Sequence, residues 1–419
     1  MHAENRPEDW YPTLSLAERD WRWTRVRDFM TNRALDCLLI AGLASKDQLQ
    51  QYVTNDHSDG YVIFPSKGEP VMLVWTASRV TSHLDAASKG EIPWVTDSRV
   101  GSNAATVVKV ILEKGHDRAT IGVVGLGGLG ARQTEGWIPY RAWATVLEEL
   151  PGAKFIDVTE GFSEVTFVKS EESLKVIRRA AEVGDLAGEA LLHVTRAGVR
   201  ESDIAAAVMQ VLYREAAAGE RAYIILHSGP HNPSWGPPLW LVRPQRPRVI
   251  EEGDIVQAEI FPSFGRLEVQ LQMSIAVRPV SSINEQCARV ARQSYEEGLK
   301  ALRPGIAFAE VVDAMARPLA AAGAWNLTPL IHSLSPMLAI GGRGVGLEQL
   351  PGIDGYKGMH SLSITRPTRG DMLVEPNTLY ELEPNVCLGS HRVNIGGTVI
   401  VTGEGIEELN KISARMHVV

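Results

Sequence analysis

Gly253-Asp254-Ile255-Val256-Gln257-Ala258-Glu259-Ile260-Phe261-Pro262 sets the problem posed by this 419-residue chain. The run is apolar enough for a buried strand, and Gln257 and Glu259, two residues apart, project from one of its faces. A carboxylate in such a strand is costly unless a partner or a ligand meets it. The same pattern recurs further along. Gln270 and Gln272 share one strand face by their period of two. Glu383, followed by Pro384, ends a strand that reads as otherwise apolar. Arg343 stands between glycines in Gly341-Gly342-Arg343-Gly344, which gives it the backbone freedom for bidentate capture of a carboxylate; an equal reading has it neutralise Glu259 or Glu383. If both carboxylates face one pocket without a metal, one pKa must rise or a cation must sit between them.

Around these segments the elements read as α+β. Helices are expected at about 171–196, 201–218, 284–302 and 307–322, and strands at about 221–227, 254–262, 267–278, 378–384 and 396–402. Ala197-Gly198-Val199-Arg200-Glu201 and Pro304-Gly305-Ile306-Ala307-Phe308 each sit between two helices, which hints at an internal duplication. The boundary to an earlier α/β domain is placed at residues 165/166. There a strand at Phe167-Val168 is expected to give way to a long helix capped by Ser170. Within residues 1–165 a helix over Leu16–Asn32 precedes the strand Ala34–Ile40. Strands Tyr61–Phe64 and Pro70–Trp75 flank a turn, and helices near 104–114 and 140–149 alternate with the strand Ala119–Val124. Gly125-Leu126-Gly127-Gly128-Leu129-Gly130 has dinucleotide-binding spacing. Gly136 and Pro139 interrupt the helix that should follow, so it reads as a surface turn.

With 42 basic and 50 acidic residues the net charge is −8, which argues against nucleic acid or an anionic membrane as partner. Cys37, Cys287 and Cys387 are odd in number and widely spaced, so neither a disulfide framework nor a thiolate metal cluster is expected. No signal core and no apolar run of about 18 residues is found. The expectation is a cytoplasmic protein acting on a small-molecule substrate.

The quoted segments, with Gly342–Glu348 and Thr398-Val399-Ile400-Val401-Thr402, resemble the creatinase, prolidase and aminopeptidase P family over nearly the whole chain. The resemblance implies a C-terminal pita-bread domain over 166–419, preceded by a smaller creatinase-type α/β domain over 1–165, in a homodimer. In metal-dependent members the ligands run Asp, Asp, His, Glu, Glu. The same slots here hold Glu259, Gln270, Arg343, Glu383 and Gly396. An amide is a weak ligand, glycine is none, and a guanidinium cannot be deprotonated to coordinate, so neither metal nor other cofactor is expected.

The pattern is most similar to the metal-independent creatinases. Phe261-Pro262 follows the acid slot, Leu271 follows the second lost ligand, His332-Ser333 precedes Arg343 by eleven residues, and His231-Asn232-Pro233 is shared. By that resemblance His231 is the acid–base residue, Glu383 holds a guanidinium group and Arg343 binds the substrate carboxylate. Departures exclude creatine as the expected substrate. Glu259 and Gln270 stand where creatinases carry Asn and Ala, and Gln272 replaces a second guanidinium-binding Glu. Asp59 lies near the place of the arginine lent to the neighbouring subunit, and the stretch from His231 to Glu259, with Trp235 and Trp240, is longer.

The expected function is therefore a metal-independent hydrolase of a small amidine, guanidino or amide compound. His231, Glu383 and Glu259 are its catalytic residues, and Arg343, Gln270, Gln272, His332 and Trp235 contact substrate. Two alternatives stand: a non-catalytic pita-bread binding module, or an Xaa-Pro peptidase keeping one metal through Glu259, Glu383 and His332 or His391.

Overall fold

The computed structural model describes residues 10–43, 49–57, 59–128, 136–219, 223–342, 344–355 and 366–419. Arg343, His360 and, in the glycine-rich loop, Leu129 and Gly130 lie outside the described residues. The chain divides into two compact units: Leu14–Val168, and Lys169–Val419 together with the segment ending at Thr13.

In the first unit, β1 (Cys37–Ala41), β2 (Tyr61–Pro65), β3 (Val71–Val74), β4 (Asp97–Val100), β5 (Thr120–Val124) and β6 (Lys154–Asp157) form one mixed sheet in the order β4-β3-β2-β1-β5-β6. Strand β1 is buried along its whole length because both faces are covered. Leu38 and Ile40 pack toward α1 (Leu16–Asn32) and α6 (Thr159–Phe167), and Cys37, Leu39 and Ala41 toward α4 (Ala104–Glu113) and α5 (Tyr140–Glu149). Helix α1 begins where Ser15 accepts from Glu18 N–H, and it buries Trp23, Val26 and Met30 at helical spacing. The short α2 (Gln51–Thr54) and the exposed α3 (Ala77–Ser88) complete the unit. After β5 a Cβ on Gly127 would collide with the Asp157 carboxylate, and α5 starts only at Tyr140.

One expectation near the boundary is corrected. Phe167 ends helix α6 rather than a strand, while Ser170 does cap α7 (Glu171–Val194), accepting from Ser173 N–H above the acidic first turn of Glu171 and Glu172. Trp10 and Tyr11 lie over the buried Arg179 guanidinium of that helix at 3.6 and 5.4 Å, which ties the N-terminal segment to the second unit.

The suspected duplication has a structural counterpart. Gly198 before α8 (Glu201–Arg214) and Gly305 before α11 (Phe308–Ala321) both have positive φ, +86° and +81°. Gly198 N–H donates to Ile250 O and Gly305 N–H to Val374 O, and each turn receives a return bond, Ile250 N–H to Val199 O and Val374 N–H to Ile306 O. Helix α9 (Leu239–Val242) is one short turn; α10 (Ser282–Ala301) precedes α11.

The large sheet of this unit runs β13-β12-β14-β17-β11-β8-β7. Its strands are β7 (Ile224–Gly229), β8 (Ile255–Ile260), β11 (Leu271–Ala276), β12 (Ile331–Ser333), β13 (Ile340–Gly341), β14 (Thr378–Leu382) and β17 (Gly396–Val401), each antiparallel to its neighbour. A ribbon of β9 (Ser263–Phe264) and β10 (Leu267–Glu268), and the edge pieces β18 (Ile406–Glu408) and β19 (His417–Val418), flank it. The hairpin β15 (Asn385–Leu388) and β16 (His391–Asn394) stands apart. Ile224, Leu226, Val256, Ala258, Ile260, Leu271, Met273 and Ile275 meet α7 and α8 on one face. On the other face Gln257, Glu259, Gln272 and Ser274 are equally buried but polar.

Candidate active site

Register brings the polar residues together. Gln272 pairs with Glu259 across β11 and β8 and with Gly396 across β11 and β17, while His332 pairs with Glu381 and Glu381 with Thr398. Glu383, two residues beyond Glu381, therefore lies across Gly396 from Gln272. A Cβ on Gly396 would collide with Leu382 O and come within 2.9 Å of Glu383 Cα, and its φ is +142°. The backbone itself requires glycine here. No side chain fills the gap, and the Gln272 amide reaches over it to donate to Glu383 Oε2. Asn394 Nδ2 donates to Gln272 Oε1 at 2.6 Å, and Asn394 O accepts from Ser274 Oγ at 2.8 Å. Asn394 thus reaches the Glu383 carboxylate only through Gln272.

His332 Nδ1 lies 3.0 Å from Ser333 O, and its Nε2 lies 3.3 Å from Glu383 Oε1. A carbonyl only accepts, so Nδ1 carries a proton; the Nε2–carboxyl contact then holds one further proton, on either partner. Burial first, and then the nearby Glu259 charge, push the Glu383 carboxyl well above its ordinary pKa, with Arg392 opposing. Glu381, which the sequence reading passed over, is fully buried and is also pushed well up, by burial and then by Glu383. Thr398 Oγ1 contacts Glu381 Oε2 at 3.0 Å and Gln270 O at 2.9 Å, and it accepts from Gln270 N–H at 2.9 Å. A hydroxyl has one proton to give. When the Gln270 carbonyl takes it, Glu381 Oε2 must carry its own.

The cation among the carboxylates that the described residues supply is Arg392. It lies on the unrecognised hairpin, is fully buried, and interacts electrostatically with Glu259 and Glu383; burial depresses its pKa. Its guanidinium donates to Ser234 O, its own carbonyl accepts from Gln257 Nε2, and its Nε has no partner among the described residues. Trp235 Nε1 donates to Glu259 Oε1 at 2.8 Å. His231 is exposed and packs against His391, ring centroids 4.5 Å apart; among the described residues it makes no hydrogen bond or ion pair to Glu259 or Glu383. His391 Nδ1 contacts Asn284 Oδ1 at 3.1 Å, and burial followed by the His231 charge lowers its pKa.

Of the residues expected at the site, Glu259, Gln272, Glu383, His332 and Trp235 are thus joined by contacts. Gln270 is held through its backbone, His231 stands with His391 instead, and Arg343 is outside the described residues. Asn394, Arg392 and Glu381 are the additions.

This sheet, its covering helices and the buried acidic pocket define a pita-bread hydrolase. The profile of metallopeptidase family M24 matches residues 175–403, more than half of the chain, and the protein belongs to that family of carbon–nitrogen hydrolases. It is 20% identical to the creatinase of Bacillus sp. (strain B-0618) across 97% of this chain and 94% of that protein. It is 22% identical to the Xaa-Pro dipeptidase of Pyrococcus furiosus across 66% of this chain and 72% of that one. The structure of an X-Pro aminopeptidase from Thermotoga maritima superposes with a TM-score of 0.72 at 17% identity, covering 95% of this chain and 99% of the other.

A metal pair, which the family name implies, does not fit these residues. Among the described residues no group of three His, Cys, Asp or Glu side chains is placed to hold a metal ion. One ligand slot is closed to any side chain by the Leu382 carbonyl, and a second holds an amide.

Proposed function

We propose that this protein hydrolyses, without a metal, a small compound whose scissile carbon–nitrogen bond belongs to a cationic amidine or guanidino group, or to an amide. One observation carries the reading: at Gly396 the backbone excludes a side chain, and the Gln272 amide crosses the gap to occupy Glu383. Glu259 and Glu383 repel one another in a buried site, and a planar N–H cation between them relieves that repulsion while it is oriented by both. Glu383 anchors this cation and Glu259 polarises it. Gln272, held by Asn394, keeps Glu383 in place, and Arg343 anchors a carboxylate of the substrate.

Without a metal to make hydroxide at neutral pH, the carbon must already be activated and water must be positioned closely. Water adds to that carbon, its proton passes to an imidazole, and the imidazole returns it to the leaving nitrogen. His231 is the acid–base residue of this reading. His332, held to Glu383 in the buried pair, is the competing carrier. Three buried free thiols suit a reducing, cytoplasmic compartment, and the same proposal includes a homodimer.

The test is bound metal on protein purified without chelator, combined with turnover in EDTA across guanidino acids, cyclic amidines and Xaa-Pro dipeptides. EDTA-resistant turnover of an amidine or guanidino compound by metal-free protein is expected. The names of several relatives favour a second reading, an Xaa-Pro peptidase, although no three-ligand group for its metal is placed among the described residues. Near-stoichiometric manganese or zinc with EDTA-sensitive Xaa-Pro cleavage would establish it instead.

A further inference from the structure

Trp235 is 55% exposed, yet its indole N–H ends on Glu259, a carboxylate that water scarcely reaches. The backbone is held on both sides of it. Arg392 donates to Ser234 O, and His227 Nε2 donates to Gly236 O at 2.7 Å, since a carbonyl only accepts. Asn232 Nδ2 adds a bond to Ile255 O at 3.3 Å, and Pro233, Pro237 and Pro238 stiffen the segment. Arg392 and His227 thus tie the backbone on either side of Trp235. The indole, open to solvent on one side, can leave by rotation of its own side chain.

We propose that Trp235 is a specificity-determining gate: its N–H holds on Glu259 the acceptor position that an N–H of the substrate's cationic group takes, and substrate enters by exchanging one donor for the other. The inference rests on the cationic-substrate reading above. It adds a selection rule. A cation bearing N–H groups replaces the bond it displaces, whereas a quaternary ammonium of the same charge breaks the Trp235 bond and returns none, and is rejected. It also predicts weak apparent affinity in the wild type, because binding is reduced by the fraction of molecules in which the gate is closed.

The probe is acetamidinium chloride, titrated into the full-length protein while the indole N–H resonances are followed, with Trp235→Phe identifying the signal of residue 235. That resonance should shift with acetamidinium and stay put with tetramethylammonium. Trp235→Phe, which keeps a ring but has no donor to displace, should bind acetamidinium about tenfold more tightly. Trp235→His, which restores a ring N–H, should return toward wild-type affinity. Unchanged affinity in Trp235→Phe would reduce Trp235 to packing, and weaker affinity would make it a wall that holds the ligand; either result overturns the gate. Glu383→Gln separates this inference from the reading beneath it. If it binds acetamidinium as the wild type does while Trp235→Phe still tightens, the role of Glu383 falls and the gate stands. If neither the wild type nor Trp235→Phe binds the cation, both fall.

Discussion

The two faces of the large sheet are made by alternate residues of the same strands, and both are buried, yet they follow opposite rules. Leu271 and Met273 meet α7 and α8 and gain by excluding water. Gln272 and Ser274, their immediate neighbours, are no more exposed, and they must be satisfied bond by bond, through Glu383 and Asn394. Burial therefore does not distinguish core from site in this protein. What distinguishes them is whether the residue at every second position is one that needs a partner.

The comparison can be broken most sharply at Gly396, where the two rules meet in the backbone. Gly396→Ala drives a Cβ into the Leu382 carbonyl at a φ of +142° and should cost on the order of 4 kcal/mol in urea unfolding. A variant as stable as the wild type would show that the strands part easily and that the metal slot is not closed. On the apolar face, Leu271→Ala should cost about 3 kcal/mol of stability and leave kcat of the folded fraction unaltered. A selective loss of kcat would mean that the faces are coupled.

On the polar face the signs reverse. Glu383→Gln should lower kcat roughly hundredfold or more, with a melting temperature equal to or above that of the wild type, because an elevated-pKa carboxyl is lost and a neutral amide takes its place. The same variant test applied to His231→Asn and His332→Asn assigns the proton carrier; the larger loss of kcat marks it, and equal small losses would remove both from the mechanism.

The smallest effect concerns pH. Glu381 and Glu383 hold their protons more tightly in the folded chain than in the unfolded one, so the native state binds more protons above the ordinary carboxyl value of 4.5. Their contribution to stability is full below that value and is lost as pH rises toward their native values. Glu381→Gln should flatten this decline, raising the melting temperature at pH 8 by about 2 °C relative to the wild type and leaving it unchanged near pH 4. A steeper decline in the variant would contradict the assignment of a proton to Glu381.

Much of the polar face was open to sequence reasoning. Glu259, Gln272 and Glu383 stand out because a charged or amide side chain at period two in an apolar strand needs a partner, whether a structural salt bridge, another amide or a ligand. Glu381 was hidden by the assumption that Thr378–Leu382 is apolar apart from its end, although it obeys the same period. Arg392 and Asn394 were missed because their hairpin is only four residues a side and follows Pro384. Its signal was present nonetheless, in Gly389-Ser390 between two short alternating runs. His231 ranked high through local sequence likeness, and the structure instead sets its ring against His391.

The sequence by itself determined the layered elements and the family, because hydrophobic period, helix caps and the Gly-Asp strand are local signals that tertiary contacts reinforce. Tertiary structure alone decided which polar groups meet. Whether Gln272 reaches Glu383 depends on the register of three strands, on the missing side chain of Gly396 and on a hairpin that closes over both. These are distances between residues more than a hundred positions apart, set by packing rather than by any neighbour in the chain.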